Sequence, residues 1–289
     1  MYAVAEFERN TTGFTADVEQ YDENTLVKIY RDTVPQADID REIHCTEAIQ
    51  GRGLPVPAYR GAVEFQGRRA ILLEYIRGES MNAMMSSGKM DVVDVARDFA
   101  AVHYRLHQCS MDSLEPSRVR YERLLRRSEP QLGSDLMNRC LKLLDKLPDG
   151  ERLSHNDYHP GNLIYGPDGL ICIDWSDASQ GDALADVART VQMFDYGPTA
   201  CSGVPMIPRD KITPGYAANF EAFRRRIRIF TRAYEQEYVR LSGLSPADYE
   251  HLVEPWKVIV PASRFWTEWD CNKPQILKMM YQYFMAHPL

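Results

Sequence analysis

Hydrophobic and polar residues alternate over much of the N-terminal part of the chain, as they do in strands that are half buried in a sheet. This pattern predicts strands at residues 2–7, 25–30, 62–65 and 69–75. Residues 36–50 have a helical pattern instead, which ends at the glycines and prolines between Gly51 and Pro57. An antiparallel sheet with one crossover helix is the simplest structure that accommodates these elements.

Beyond residue 76 the apolar residues recur every three to four positions, which is the period of amphipathic helices. Residues 92–109 show this most clearly, with a stripe formed by Val92, Val95, Ala96, Phe99, Val102 and Leu106. Similar patterns predict helices at 120–127, 135–146, 186–194, 219–241, 246–264 and 274–286. We therefore expect an α+β fold with a small antiparallel β-rich lobe at 1–76 and a larger α-rich lobe at 77–289.

Residues 153–188 interrupt the helical pattern and hold six of the 41 acidic residues of the chain, with no lysine or arginine. Within them, a Gly-Pro-Asp-Gly turn at 166–169 separates two short apolar runs and predicts a β-hairpin. Asp157 and Asn162 precede its first strand, and Asp174 follows its second strand. These three side chains are therefore expected to converge at one end of the hairpin.

Two carboxylates and an amide in this arrangement suit phosphoryl transfer, which depends mostly on positioning and charge neutralisation. One carboxylate must lie beside the acceptor hydroxyl, while an amide oxygen and a second carboxylate hold Mg²⁺, an ion that prefers oxygen ligands. The step of five residues from Asp157 to Asn162 equals the Asp-to-Asn step in the catalytic loop of protein kinases. Each residue alone is more typical of a turn, so the interpretation depends on the combined pattern.

The same stretch resembles the signature of the aminoglycoside phosphotransferase and choline kinase superfamily, in its sequences HNDYHPGN at 155–162, ICIDW at 171–175 and GDALADVAR at 181–189. The resemblance implies a two-lobed, protein-kinase-like fold. It also implies that Asp157 is the catalytic carboxylate and that Asn162 and Asp174 are the Mg²⁺ ligands. Asn156 stands where the family usually has glycine, and asparagine tolerates left-handed backbone angles better than most residues.

Four neighbouring residues receive supporting roles from this resemblance. His155 would be a structural member of the catalytic loop, and His159 would brace it. Asp182 and Asp186 would anchor the segment that follows the metal site.

The N-terminal lobe resembles the nucleotide-binding lobe of the same family. Lys28 is similar to the phosphate-binding lysine, and Glu42 is similar to its ion-pair partner. Glu47 is the rival for that role, but its distance in sequence from Gly53 fits the family less well.

Two further segments complete the expected nucleotide site. Residues 10–15, with Gly13 and Thr15, resemble the loop over the ATP phosphates. Residues 73–78 resemble the hinge, where the backbone of Glu74 and Ile76 would bond adenine. The implied cofactors are ATP or GTP, together with Mg²⁺.

The resemblance weakens from residue 196 onward, and this region is expected to select the acceptor. Asp177, Trp266 and Trp269 are candidate acceptor-binding residues, although core packing is the competing interpretation for the tryptophans. The acidic stretch favours a cationic acceptor, so we expect an ATP-dependent kinase that phosphorylates a hydroxyl of an aminoglycoside-like small molecule. A metabolic kinase of choline, ethanolamine, homoserine or a sugar is the alternative, as is a catalytically silent nucleotide-binding protein of the same fold.

Other classes of enzyme and partner are disfavoured. A protein kinase is disfavoured because Trp175-Ser176 follow Asp174 without the glycine of DFG, and a zinc enzyme because Pro160-Gly161 prevents a shared helix for the histidines at 155 and 159. The net charge of -7 argues against nucleic acid, and the basic run at 224–228 is typical of a solvated helix face. Without a signal peptide or a long apolar run, we expect a cytoplasmic protein that does not enter a membrane. Nothing in the sequence indicates an oligomeric state.

Overall fold

The computed structural model describes residues 15–87, 90–196, 214–268 and 272–288 of the 289-residue chain. Contacts divide the chain into two compact units, one formed by Met1–Met81 with Gly161–Asp177 and the other by Asn82–Pro160 with Ala178–Leu289. The sequence-based boundary at residue 76 assigned residues 161–177 to the C-terminal lobe, whereas their contacts group them with the N-terminal strands.

The first unit contains an antiparallel sheet. Its strands are β1 (Ala16–Asp22), β2 (Thr25–Tyr30), β3 (Tyr59–Phe65) and β4 (Arg68–Glu74), which pair in the order β1-β2-β4-β3. Helix α1 (Gln36–Ala48) connects β2 to β3. The predicted strand at 2–7 lies outside the described residues. Strand β1 was not predicted, because its side chains are mostly exposed and show no clear alternation of buried positions.

The sheet packs one of its faces against α1. Ile39 of the helix joins Tyr30 and Ile71 of the sheet in one apolar cluster. Val27 and Ile29 belong to a separate cluster on the opposite face. Because successive strand residues point to opposite faces, Lys28 shares the α1 face with Tyr30.

The segment after residue 160 forms the predicted hairpin. A single 3-10 turn, Pro160–Asn162, leads into strands that pair with each other and with β5 (Glu79–Ser80), namely β7 (Leu163–Gly166) and β8 (Gly169–Cys172). Gly78 precedes β5 and lies against the backbone of Tyr165. A Cβ atom at Gly78 would be 2.0 Å from the Tyr165 carbonyl oxygen, so this approach requires glycine.

The second unit is mainly helical. Its helices are α2 (Met81–Ser87), which starts at the last residue of the first unit, α3 (Val92–His107), α4 (Ser117–Leu132), α5 (Ser134–Leu144), α6 (Ala183–Tyr196), α7 (Pro214–Ser242), α8 (Pro246–Ser263) and α9 (Lys273–Ala286). The short strands β6 (Arg152–Ser154) and β9 (Ser179–Gly181) pair antiparallel. Helix α3 packs along α7, and α8 contacts both α4 and α6.

The predicted α+β fold is confirmed, with an antiparallel sheet in the N-terminal part and helices in the C-terminal part. The helices predicted from periodicity are present with shifted ends, while α2, β6 and β9 were missed because they are too short to show a period. Within the described residues, no helix combines the length and the apolar character needed to cross a membrane.

Candidate active site

Lys28 connects two carboxylates in the first unit. Its Nζ donates to Glu42 Oε1 at 2.6 Å and to Asp174 Oδ1 at 3.2 Å. Glu42 reaches the lysine because it follows Ile39 by three positions on the sheet-facing side of α1. Asp174 comes from the loop after β8, 146 residues from Lys28 in sequence. The structure therefore brings together three residues singled out in the sequence, while Glu47 is exposed.

The ion pair between Lys28 and Glu42 is buried, with side chains that are 12% and 6% exposed. Burial alone would lower the pKa of Lys28, but the carboxylates of Asp174 and Glu42 outweigh it and hold that pKa above its ordinary value. Burial raises the pKa of Glu42, and Lys28 offsets only part of this rise. The lysine is therefore a fixed positive charge, suited to contact phosphate oxygens.

Asn162 and Asp174 lie at the same end of the hairpin. The Ile173 N–H donates to the Asn162 carbonyl at 2.9 Å, which extends the pairing of β7 with β8 by one step. Asp174 has a φ of 64°, a left-handed conformation that costs about 1–3 kcal/mol outside glycine and is concentrated at functional sites. The Asn162 amide and the Asp174 carboxylate supply oxygen donors, so their chemistry fits Mg²⁺. Their role as metal ligands stays a prediction.

The predicted adenine hinge follows β4. The Glu74 N–H donates to the Ala58 carbonyl at 2.8 Å, and the Glu74 carboxylate accepts from the Ala58 N–H at 3.0 Å. The amide of Glu74 is thus already used within the protein. Among the described residues, the backbone of Ile76 makes no hydrogen bond, so its amide and carbonyl are available to a ligand.

The predicted phosphate loop is only partly described. Gly13 lies outside the described residues. Thr15 is exposed, and its carbonyl accepts a hydrogen bond from the Arg31 N–H at 3.0 Å. The roles of Gly13 and Thr15 stay predictions.

Asp157 belongs to the second unit, in the loop that follows β6. Its side chain is 34% exposed, and its Oδ2 lies 3.6 Å from His159 Nε2 while its Oδ1 lies 3.7 Å from Arg189 Nη2. The Asp157 N–H donates to Nδ1 of the buried His155 at 3.3 Å. The carboxylate is therefore held between two basic side chains and still reachable from solvent.

Arg189 is a candidate that sequence reasoning missed. From α6, its Nε donates to the Asn156 carbonyl at 3.2 Å and its Nη1 to Gln192 Oε1 at 2.9 Å. Gln192 donates in turn to Glu268 Oε1 at 2.8 Å. Arg189 ends the GDALADVAR motif, which was the available signal, but its position beside Asp157 follows from the packing of α6 against the loop.

Asp186 of α6 holds the loop that carries Asp157. Its fully buried carboxylate accepts from the His155 N–H at 2.5 Å and from the Asn156 N–H at 2.8 Å. Asn156 has a φ of 61°, a left-handed conformation that asparagine tolerates better than most residues. Asp186 therefore anchors the loop that carries Asp157, whereas its expected role in anchoring the segment after the metal candidates stays a prediction.

The histidines of α3 complete the surroundings of Asp186. Its Oδ2 lies 3.2 Å from His103 Nε2 and 3.3 Å from His107 Nε2. Burial opposes ionisation of Asp186, but the two histidines outweigh it and hold the pKa of the carboxyl well below its usual value. The carboxylate therefore stays ionised inside the protein. The sequence analysis assigned no role to His103, which the structure places on this carboxylate.

His103 is expected to make the folded protein sensitive to mild acid. Burial and the neighbouring His107 lower the pKa of His103 to about 3, although Asp186 opposes the shift. Below about pH 6.5 the unfolded chain binds a proton at this histidine while the folded protein does not. The free energy of unfolding therefore decreases as the pH is lowered. We expect a loss of up to about 1.4 kcal/mol per pH unit in urea denaturation between roughly pH 6 and pH 4.5.

A matched pair of variants isolates this contribution. His103→Gln removes the proton uptake and should flatten the slope, whereas His251→Gln, at an exposed position, should leave it unchanged. This pH range lies above the ordinary pKa of aspartate. At lower pH the stabilising contribution of the ionised Asp186 would also begin to be lost. Equal slopes for wild type and His103→Gln would contradict the prediction.

Asp182 lies at the start of α6. Its Oδ1 accepts from the Leu184 N–H at 2.9 Å, and its Oδ2 accepts from Trp256 Nε1 at 3.1 Å. Asp182 therefore caps α6 and links it to α8. The role of Asp182 in anchoring the segment after the metal candidates stays a prediction.

Two of the three candidate acceptor residues lie within the described part of the chain. Asp177 is half-buried in the segment between β8 and β9. Trp266 is also half-buried, and the Arg127 guanidinium lies 3.6 Å from the centroid of its ring. Trp269 lies outside the described residues. Trp256, a further tryptophan of this region, is buried in the core of the second unit.

The sequence matches the model of the phosphotransferase enzyme family over residues 8–217. No curated protein matches the chain. Among solved structures, the streptomycin–ATP complex of APH(2″)-IIa is similar with a TM-score of 0.56 and 18% identity, over 96% of this chain and 92% of that one. A thermostable mutant of aminoglycoside phosphotransferase APH(4)-Ia, bound to AMP-PNP and hygromycin B, has a TM-score of 0.57 and 12% identity over 99% and 95% of the two chains.

A choline kinase from Cryptosporidium parvum Iowa II is more distant, with a TM-score of 0.47 and 15% identity over 96% of this chain and 87% of that one. The fold similarity to the two phosphotransferases confirms the kinase-like architecture, since it extends over nearly all of each chain. The match of the family model covers well over half of the sequence. The chain belongs to the phosphotransferase enzyme family.

Proposed function

We propose that this phosphotransferase moves the γ-phosphoryl group of ATP to a hydroxyl of a small molecule, with an aminoglycoside-like acceptor favoured. The observation that carries the proposal is the buried Lys28, whose Nζ bonds Glu42 at 2.6 Å and Asp174 at 3.2 Å. Protein kinases hold the ATP phosphates with a lysine of the sheet that is paired with a glutamate of a helix, and Lys28 with Glu42 of α1 has this arrangement.

On the nucleotide side, Lys28 contacts the phosphate oxygens and Glu42 keeps its ammonium in place. The backbone of Ile76, which makes no hydrogen bond among the described residues, donates one hydrogen bond to adenine and accepts another from it. Asn162 and Asp174 would hold Mg²⁺, which supplies positive charge against the phosphates when bound. Guanine presents different hydrogen-bond donors and acceptors to this backbone than adenine does. The same assay, repeated with GTP, tests which nucleotide is used.

On the acceptor side, Asp157 orients the hydroxyl and takes its proton at a carboxylate oxygen as the oxygen attacks phosphorus. Its two oxygens lie 3.7 Å from Arg189 Nη2 and 3.6 Å from His159 Nε2. The anchored backbone of the loop keeps the carboxylate in position for this step. The γ-phosphoryl group moves in line to the acceptor, and ADP is the leaving group.

A cationic acceptor is favoured by the acidic stretch at 153–188, which contains no lysine or arginine. The streptomycin–ATP complex among the similar structures agrees with this expectation for a protein of the same fold. The acidic residues also serve the metal and the loop, so the class of acceptor needs a direct assay.

The test is ATP consumption by the purified protein over a panel of aminoglycosides, amino alcohols, amino acids and sugars. We expect ATP- and Mg²⁺-dependent phosphorylation of at least one polyamine acceptor, checked by mass spectrometry of the product. Turnover of choline, ethanolamine, homoserine or a sugar, with no response to aminoglycosides, would replace the favoured acceptor with a metabolic one. Binding of ATP without transfer to any alcohol would identify a silent nucleotide-binding protein and overturn the proposal.

A further inference from the structure

A buried ladder of side chains leads from α7 to the catalytic loop in the second unit. The Tyr234 hydroxyl bonds His103 Nδ1 at 2.8 Å, and the Tyr238 hydroxyl bonds His107 Nδ1 at 2.6 Å. The Nε2 atoms of both histidines then reach Asp186 Oδ2, at 3.2 Å and 3.3 Å. All five side chains are buried, and we call them the His–Tyr ladder.

The ladder follows from helix periodicity. His103 and His107 are four residues apart on α3, and Tyr234 and Tyr238 are four residues apart on α7, so each pair lies on one helix face. Both rungs join residues that are 131 positions apart. The two helices therefore run in the same direction where they pack, and the contact repeats after one turn.

One arrangement of protons satisfies every group in the ladder. Asp186 is ionised, because its pKa is held well below the usual value, and so it only accepts hydrogen bonds. A neutral imidazole that donates to this carboxylate from Nε2 accepts at Nδ1, where each histidine meets its tyrosine hydroxyl. The tyrosines are the donors, and burial keeps the pKa of Tyr234 and of Tyr238 above its ordinary value.

The ladder contacts the catalytic loop on both sides of Asp157. Asp186 accepts the backbone N–H groups of His155 and Asn156, which precede it. Tyr158, which follows it, stacks on the His103 ring with centroids 3.9 Å apart. A change in the ladder is therefore transmitted to the residues next to the catalytic carboxylate.

We propose that Tyr234 and Tyr238 are positioning residues, which hold the catalytic loop through the two histidines and Asp186. Without the hydroxyls, each buried Nδ1 loses its hydrogen-bond donor. The imidazoles are then fixed at Nε2 alone, so their orientation toward the Asp186 carboxylate is less firmly held. The loop loses anchoring, and Asp157 spends less time in the reactive geometry, where small displacements cost large factors in rate.

The test is the double variant Tyr234→Phe/Tyr238→Phe, and it rests on the proposed function. We expect kcat, measured with the acceptor found in the screen, to fall about tenfold. The KM for ATP should change less than about twofold, because Lys28, Glu42 and Asp174 belong to the first unit. A variant that folds poorly would show a lower apparent kcat only because less of it is active. We therefore calculate kcat per folded molecule.

A matched control lies on the same helix system. Tyr249→Phe removes a buried hydroxyl that donates to Glu235 of α7 at 2.8 Å and not to any of the five ladder residues. This variant should keep the wild-type kcat. A double variant whose kcat equals that of the control would overturn the proposal.

Amide hydrogen exchange provides a readout that does not need turnover. The amides of His155 and Asn156 should exchange faster in the double variant than in wild type or Tyr249→Phe, because their acceptor is less firmly held. Faster exchange in a protein that transfers no phosphate would reject the proposed function and retain the link from α7 to the loop. Unchanged exchange at both amides would reject the link itself.

Discussion

Replacing Asp157 with asparagine is expected to lower kcat by about a hundredfold to ten-thousandfold, while ATP binding stays close to wild type. Asparagine keeps the size of the side chain but cannot take the proton of the acceptor hydroxyl. Asp157 belongs to the second unit, and the Lys28 cluster belongs to the first, so the nucleotide contacts are left intact. Initial-rate kinetics and calorimetric titration with a non-hydrolysable ATP analogue measure the two effects separately.

The exposed Asp168 in the hairpin turn offers a control for this prediction. Asp168→Asn makes the same chemical change within the same acidic stretch and should leave kcat unchanged. Near-normal turnover by Asp157→Asn would remove Asp157 from the catalytic role. An equal loss of turnover and of nucleotide affinity would indicate a structural role instead.

Replacing Lys28 with methionine is expected to reduce both stability and nucleotide use. Glu42 is 6% exposed, and without the lysine its carboxylate is buried without a countercharge. Breaking a buried ion pair in this way typically costs about 3–5 kcal/mol in the free energy of unfolding. The KM for ATP should rise at least about tenfold, since the phosphates lose their fixed cation. Urea denaturation and initial-rate kinetics provide the two measurements.

A second substitution separates folding from function. In Lys28→Met/Glu42→Gln the buried charge is gone, so much of the lost stability should return, while ATP use should not. Lys146→Met, at an exposed position, controls for the loss of a positive charge. A Lys28→Met protein with wild-type stability and wild-type KM for ATP would show that the ion pair serves neither purpose.

The regular elements were predictable where burial repeats with a short period. Strand β2 matches the predicted strand at 25–30. Helix α8 begins at the predicted residue and ends one residue before the predicted end at 264. Strand β1 escaped prediction because it lies at the sheet edge, and its side chains past Ala16 are partly or wholly exposed. Periodicity reports which side chains are buried, so an exposed strand leaves little signal in a sequence.

The candidate site divides in the same way. The step from Asp157 to Asn162, and the hairpin that separates Asn162 from Asp174, are local features that a sequence states directly. The contacts of Arg189 with Asp157 and Asn156 are not local features, because they require α6 to pack against a loop some thirty residues earlier. Residue spacing alone does not predict a contact over about thirty positions. The contact depends on how α6 packs against the loop.

By itself, the sequence determined the α+β class, the longer helices, the hairpin and the types of residue available for phosphoryl transfer. Each of these depends on neighbours within a few positions, where backbone geometry relates spacing to direction. Only the tertiary structure decided that Lys28 bonds Asp174, 146 residues away, and that Tyr234 bonds His103, 131 residues away. Those partners are set by how sheets and helices bury their apolar faces, which brings distant polar groups together in surroundings where each must find a hydrogen bond.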